Sequence, residues 1–103
     1  MASEFTRVLQ ESELPEGEKR TVIVDGIPVL LCRSGGQLHA ISNICSHAHE
    51  ALDCGRMRDG WIACPVHGAR FDLATGEPLN PPATLPIPSY PLQLIDGWIE
   101  VKI

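Results

Sequence analysis

Two pairs of metal-binding side chains frame the middle of this 103-residue chain, Cys45-x-His47 and Cys64-x-x-His67. The segment Ala48 to Ala63 separates them. With one residue between them, Cys45 and His47 can project the same way from an extended or turning loop. The wider spacing of Cys64 and His67 is common in tight metal-binding turns. Pro65 stiffens that turn, and Gly68 lets backbone approach closely. Two loops that each supply one thiolate and one imidazole can hold a single tetrahedral zinc. They can also hold two irons, with both thiolates on one and both imidazoles on the other.

The rest of the chain must position these four side chains. A length of 103 residues fits one domain, 1–103, able to bury a core of its own. Thirteen Asp and Glu against eight Lys and Arg give a net charge of −5. That balance argues against general nucleic-acid binding, which needs cations for phosphates. It suits partners with positive surfaces, and it also serves solubility. MASEFTRVLQ has no apolar core of a signal peptide, and no apolar run approaches the ~18 residues of a membrane span. The expectation is a cytoplasmic protein without membrane attachment. Disulfides are uncommon there, so the four cysteines read as thiols or ligands.

The pattern is mostly β. Phe5–Leu9 is a short strand. Arg20–Asp25 and Pro28–Arg33 are apolar runs joined at Asp25-Gly26, a hairpin signal. Ser34-Gly35-Gly36 makes the next turn, and Gln37–Ser42 follows as a strand. Asp96-Gly97 joins a last hairpin, Tyr90–Ile95 with Trp98–Lys102. Glu11–Lys19 is a polar loop with room for one helical turn. Asn43–Gly60 shows no sustained period. Trp61–Cys64 and Arg70–Leu73 read as short strands around the second ligand pair. The stretch Asn80–Pro91 is proline-rich, which removes backbone donors and discourages a central strand. A loop this long in a small domain is functional or mobile, and its position suggests that it packs over the Cys-His site.

Together these residues resemble the Rieske [2Fe–2S] pattern: Cys45-x-His47, the intervening segment, then Cys64-x-x-His67-Gly68. The likeness continues through Phe71-Asp72, Thr75-Gly76, the proline loop, Tyr90-Pro91 and the Asp96-Gly97 hairpin. It also covers FTRV, LPEGEKR, VDGIPVLL and LHAISNICSH, and so nearly the whole chain. The subclass it resembles is the small ferredoxin of bacterial aromatic-ring-hydroxylating dioxygenase systems. The resemblance implies an all-β Rieske fold, an antiparallel β-sandwich or barrel base with a small cluster-binding subdomain of two loops, about 43–73. It implies one [2Fe–2S] cluster, with Cys45 and Cys64 on a buried iron and His47 and His67 on an outer, reducible one. It implies a monomeric carrier and not an enzyme, fed by a flavin-containing NAD(P)H ferredoxin reductase and serving a terminal Rieske oxygenase. Two other readings stand beside it: the small Rieske subunit of an assimilatory nitrite reductase, and a zinc-stabilised interaction module.

Departures from the pattern carry information. High-potential Rieske proteins join their two loops with a disulfide, and the corresponding positions here are Glu50 and Val66. They also place a serine and a tyrosine after the second histidine ligand, where this chain has Ala69 and Phe71. Both hydroxyl donors to the cluster sulfurs are therefore missing. Elsewhere, Cys32 reads as a buried small hydrophobe and Cys54 as an ordinary thiol. His39 reads as a solvent-face strand residue and His49 as a loop residue near the site. Trp61 and Trp98 read as core or strand-packing aromatics. Leu52 should anchor the first loop from beneath and Asp72 should brace the second. Glu11, Glu13, Glu16 and Glu18 form a solvated acidic loop.

Overall fold

The computed structural model describes residues 5–44, 51–65, 68–80 and 85–103. These form nine β-strands: β1 Thr6–Gln10, β2 Lys19–Val24, β3 Ile27–Ser34, β4 Gln37–Ser42, β5 Met57–Arg58, β6 Trp61–Ala63, β7 Arg70–Asp72, β8 Leu92–Ile95 and β9 Trp98–Val101. The expected helical turn is a 3-10 turn at Glu11–Glu13. The strands make three antiparallel sheets, ordered β1-β9-β8, β2-β3-β4 and β5-β6-β7. The all-β expectation holds.

Three hairpins turn on an Asp-Gly pair in which both residues have positive φ. Asp25 and Gly26 stand at 52° and 79°, Asp96 and Gly97 at 52° and 80°. These are type I′ values, which match the right-handed twist of the flanking strands. A third such pair, Asp59 and Gly60 at 48° and 84°, joins β5 to β6. That hairpin lies partly inside the stretch that shows no periodicity in the sequence, because β5 is only two residues long.

Three strand ends differ from expectation. β6 ends at Ala63 and β7 at Asp72, each one residue short of the expected strand, and in-register bonds from the Cys64 N–H to the Ala69 carbonyl and from the Leu73 N–H to the Gly60 carbonyl close the two ends of their ladder. Pro91 has no N–H, and the Tyr90 N–H donates to the Ala40 carbonyl on β4. Hence β8 begins at Leu92.

The central element is β3. Its apolar run is continuous, as in strands covered on both faces. Val29 and Leu31 join Leu9, Leu14, Val24, Ala40, Ile99 and Val101 in one core. Leu30 and Cys32 point the other way, into a second core with Ile41, Leu52, Ile62, Cys64, Ala69, Phe71, Leu73 and Ile87. One sheet thus serves as a shared wall between a base and the lobe that carries Cys64.

Candidate metal centre

Of the four sequence-predicted ligands, Cys64 lies within the described residues. Cys45, His47 and His67 lie outside them, as do His49, Glu50 and Val66. What the structure defines is the frame on either side of these segments.

The first loop leaves the end of β4. The Asn43 carbonyl accepts from the Leu52 N–H at 2.7 Å, and Ile44 forms an antiparallel bridge with Ala51. The residues flanking 45–50 are thereby held side by side. Leu52 is fully buried directly after this stem, as expected of an anchor. The Leu52 carbonyl then accepts from the Gly55 N–H at 2.8 Å. Gly55 is buried so tightly that a Cβ there would intrude on the Ala63 carbonyl oxygen. Close approach thus binds the first loop to the strand leading into Cys64.

The second loop is a tight reversal between β6 and β7. The Cys64 N–H donates to the Ala69 carbonyl at 2.7 Å, and the Cys64 carbonyl accepts from the Gly68 N–H at 2.9 Å. Gly68 takes φ 73°, which suits glycine at this turn. Cys64, Ala69 and Phe71 are all buried in the lobe core beside Leu52. Asp72, expected to brace this loop, is instead engaged in the turn after β7, where its Oδ1 accepts from the Ala74 and Thr75 N–H groups at 2.8 and 3.2 Å. The proline-rich stretch packs against the same lobe through Ile87, whose N–H donates to the Gly76 carbonyl.

The lobe is tied to the base by polar contacts from the β2-β3-β4 wall. Lys19 Nζ donates to the Asp53 carbonyl at 3.0 Å, and Thr21 Oγ1 donates to Asp53 Oδ2 at 3.3 Å. The Gly60 N–H donates to Ser34 Oγ at 3.1 Å. Sequence reasoning missed Asp53 in this role. It also missed Asn43, a buried polar residue whose Oδ1 has no hydrogen-bond partner among the described residues. The available signal was an asparagine directly after an apolar strand and two residues before a candidate ligand.

Other candidates separate clearly. Cys32 is buried, and burial pushes its thiol up to about 12 against a small opposing pull from Lys19. It stays a neutral hydrophobe, as expected. Cys54 is exposed. His39 is half-buried and not a plain solvent-face residue, because Asp59-Gly60 and Leu73-Ala74 close over its end of β4. Burial lowers its pKa, and the nearby Asp72 charge opposes that in part. Trp61 and Trp98 pack on strand surfaces under guanidinium groups, Arg70 at 5.0 Å and Arg7 at 5.2 Å from the ring centres.

The residues present fit an iron–sulfur cluster. The Cys64 thiol sits in an apolar lobe that shields it from water, as a soft sulfur ligand of such a cluster would need. Among the described residues, no helix is long and apolar enough to cross a membrane.

Comparison with known proteins agrees with this geometry. A family model described as the Rieske [2Fe–2S] domain matches residues 4–91. The anthranilate 1,2-dioxygenase ferredoxin subunit of Burkholderia cepacia is 35% identical over 91 residues, covering 88% of this chain and 84% of that protein. The solved ferredoxin of carbazole 1,9a-dioxygenase from Nocardioides aromaticivorans IC177 superposes with a TM-score of 0.92. It is 37% identical and covers 97% of this chain and 98% of that one. A chain from a solved complex of reduced oxygenase and oxidised ferredoxin in carbazole 1,9a-dioxygenase superposes at 0.90. It is 29% identical and covers 95% of this chain and 92% of that one.

Proposed function

This chain belongs to the Rieske [2Fe–2S] family, and on that premise we propose that it carries single electrons from a flavin-containing NAD(P)H reductase to the terminal oxygenase of an aromatic-ring-hydroxylating dioxygenase system. It is an electron-transfer ferredoxin with a Rieske-type [2Fe–2S] cofactor and is not a catalytic subunit. Cys45 and Cys64 bind one iron in our reading, and His47 and His67 the other. The cluster supplies a one-electron couple, and neutral histidines raise its potential above that of a four-thiolate cluster. The chain's own part is to bury Cys64, to clamp both loop stems, and to keep the frame fixed while charge changes.

The observation that carries the ligand assignment is Cys64 buried at the mouth of a tight turn, in one core with the Leu52 anchor of the other loop. The expected cytoplasmic, monomeric state is part of the same reading. The nitrite reductase reading is weaker, since a solved small subunit described in those terms shares the fold at 25% identity.

The test is a metal and sulfide assay with electron resonance after reduction. Equal iron and labile sulfide with a Rieske-type signal support the assignment, and zinc without sulfide ends it. His47→Cys should retain iron and lower the potential, because an anionic ligand replaces a neutral one. Reconstitution with a reductase and an oxygenase then tests the carrier role.

A further inference from the structure

Among the described residues, one buried side chain is polar, that of Asn43, 5% exposed. It stands where three parts of the fold meet. Its N–H donates to the Pro28 carbonyl on β3 at 3.2 Å, and its backbone carbonyl accepts from the Leu52 N–H in the lobe. The Leu52 carbonyl in turn accepts from the Gly55 N–H, and Gly55 lies against the Ala63 carbonyl, next to Cys64. The wall and the stems of both loops therefore converge on one residue. The buried side chains beside these contacts, Leu30, Ile41 and Leu52, are apolar and bring no donor.

The Asn43 Oδ1 is buried and has no hydrogen-bond partner among the described residues. Buried polar atoms of native proteins are nearly always paired, and an acceptor left alone costs stability. Backbone donors on both stems are already engaged. The Ile44 N–H donates to Ser42 Oγ, the Leu52 N–H to the backbone carbonyl of Asn43 itself, and the Gly55 N–H to the Leu52 carbonyl. On the second stem the Cys64 N–H bonds the Ala69 carbonyl and the Gly68 N–H the Cys64 carbonyl. Thiolate and sulfide sulfurs are themselves acceptors, so an iron–sulfur cluster cannot satisfy a carbonyl oxygen directly.

We propose that Asn43 is a positioning residue of the metal centre: its side-chain carbonyl accepts from a backbone N–H of the first ligand loop, a bond completed when the centre is assembled. The bond ties that loop to the residue that already clamps Pro28 and Leu52. Asn43 touches no metal in this role. Its effect is on retention, because a first loop that opens to release iron must break the bond and strand the acceptor again. The same oxygen weakens the cluster-free chain and strengthens the holoprotein, so one polar atom links folding to cluster uptake. This inference rests on the ligand assignment proposed above.

The experiment compares three holoproteins: wild type, Asn43→Leu, which keeps the approximate shape without the acceptor, and Asn43→Asp, which keeps an acceptor in place. Transfer of iron to a chelator is timed in native buffer, and electron resonance reports the state of the cluster. Urea unfolding is then followed on the same full-length chains after cluster removal. The proposal expects Asn43→Leu to release iron about tenfold faster than wild type. Failure to take up iron is the limiting case of fast release. Its cluster-free chain should unfold at the same or a higher urea concentration, because an apolar side chain replaces an unpaired acceptor. Asn43→Asp should release iron within about threefold of wild type. The opposite signs are the signature, since a merely structural asparagine would lower retention and cluster-free stability together. That joint loss would overturn the proposal, as would unchanged release from Asn43→Leu. Release from Asn43→Asp as fast as from Asn43→Leu would show that the amide serves as a donor, and would overturn it too. If the cluster-free chains show no cooperative transition, the release rates decide by the same criteria. A wild type that holds zinc, or neither iron nor sulfide, would instead overturn the ligand assignment, and the role of Asn43 with it.

Discussion

Ala69 and Phe71 set an expected reduction potential that can be changed by two atoms. Both are fully buried in the lobe core with Cys64, and the Ala69 carbonyl accepts from the Cys64 N–H. High-potential members of the family carry hydroxyl donors at these positions, and the sequence here has none. A donor to a cluster or ligand sulfur binds more strongly as the cluster gains negative charge, so it favours reduction. With a differential worth of roughly 1–2 kcal/mol per bond, a one-electron couple moves by about 40–90 mV per bond. The wild type should therefore lie near the low end of the family range, about −150 mV. Ala69→Ser with Phe71→Tyr should raise it by about 80–180 mV if both bonds form. Burial makes the outcome diagnostic. A new hydroxyl in this dry core that finds no acceptor costs about 1–3 kcal/mol of stability. Protein-film voltammetry and denaturant unfolding on the same samples separate the cases. A wild-type midpoint above about +100 mV would refute the argument from missing donors. A double variant of full stability and intact cluster, but unchanged potential, would refute the hydrogen-bond mechanism.

Packing and titration give three further expected outcomes. Gly55→Ala should lower stability by at least ~1–3 kcal/mol and reduce iron content, because its Cβ collides with the Ala63 backbone and no side chain can yield; wild-type melting and iron loading would contradict this. In the native holoprotein an alkylating reagent should label exposed Cys54 quickly, while Cys32, its thiol pushed up to about 12, reacts only on unfolding; mass spectrometry of a brief reaction decides. His39 is held neutral by burial, with a pKa below its ordinary 6.5. Its contribution to stability is therefore complete above that value and is lost as pH falls through the lower folded value. His39→Gln should flatten the acid side of the stability profile, and an unchanged slope would show that His39 is not responsible.

The sequence is most legible where the physics is local. The Asp-Gly turns at 25–26 and 96–97, the β-branched run of β2 and the apolar run of β3 locate two of the sheets, because each needs only nearest neighbours to be recognised. The Asp59-Gly60 turn carries the same chemistry but escapes notice, since the strand before it has two residues and shows no alternation. Pairing of β1 with β9 joins the two ends of the chain, and no local signal reports a contact of such separation. At the site, residue types and spacing point to all four candidate ligands, but their framing is not legible. Asp53 and Asn43 both fall in the Asn43–Gly60 stretch that shows no period, so neither stands out. Their surroundings appear only when the wall and the lobe are brought together. His39 departs from its expected exposure for the same reason: alternation along β4 identifies its face, but not that the lobe covers it.

The two-sided burial of β3 explains how so small a chain can hold a centre steady. Val29 and Leu31 are fixed by the base, so Leu30 and Cys32 beside them cannot shift without disturbing that core as well. The lobe core is built on these residues, and both loop stems close onto it through Leu52 and Cys64. The polar ties at Asp53 and Ser34 then resist sliding along the wall, a motion that apolar contacts alone oppose weakly because they lack direction. Close-packed interiors have low compressibility, so a frame built this way yields little when the charge beside it changes. A carrier that gains and loses one electron in each cycle benefits from that rigidity, since the frame around Cys64 need not rearrange between the two states.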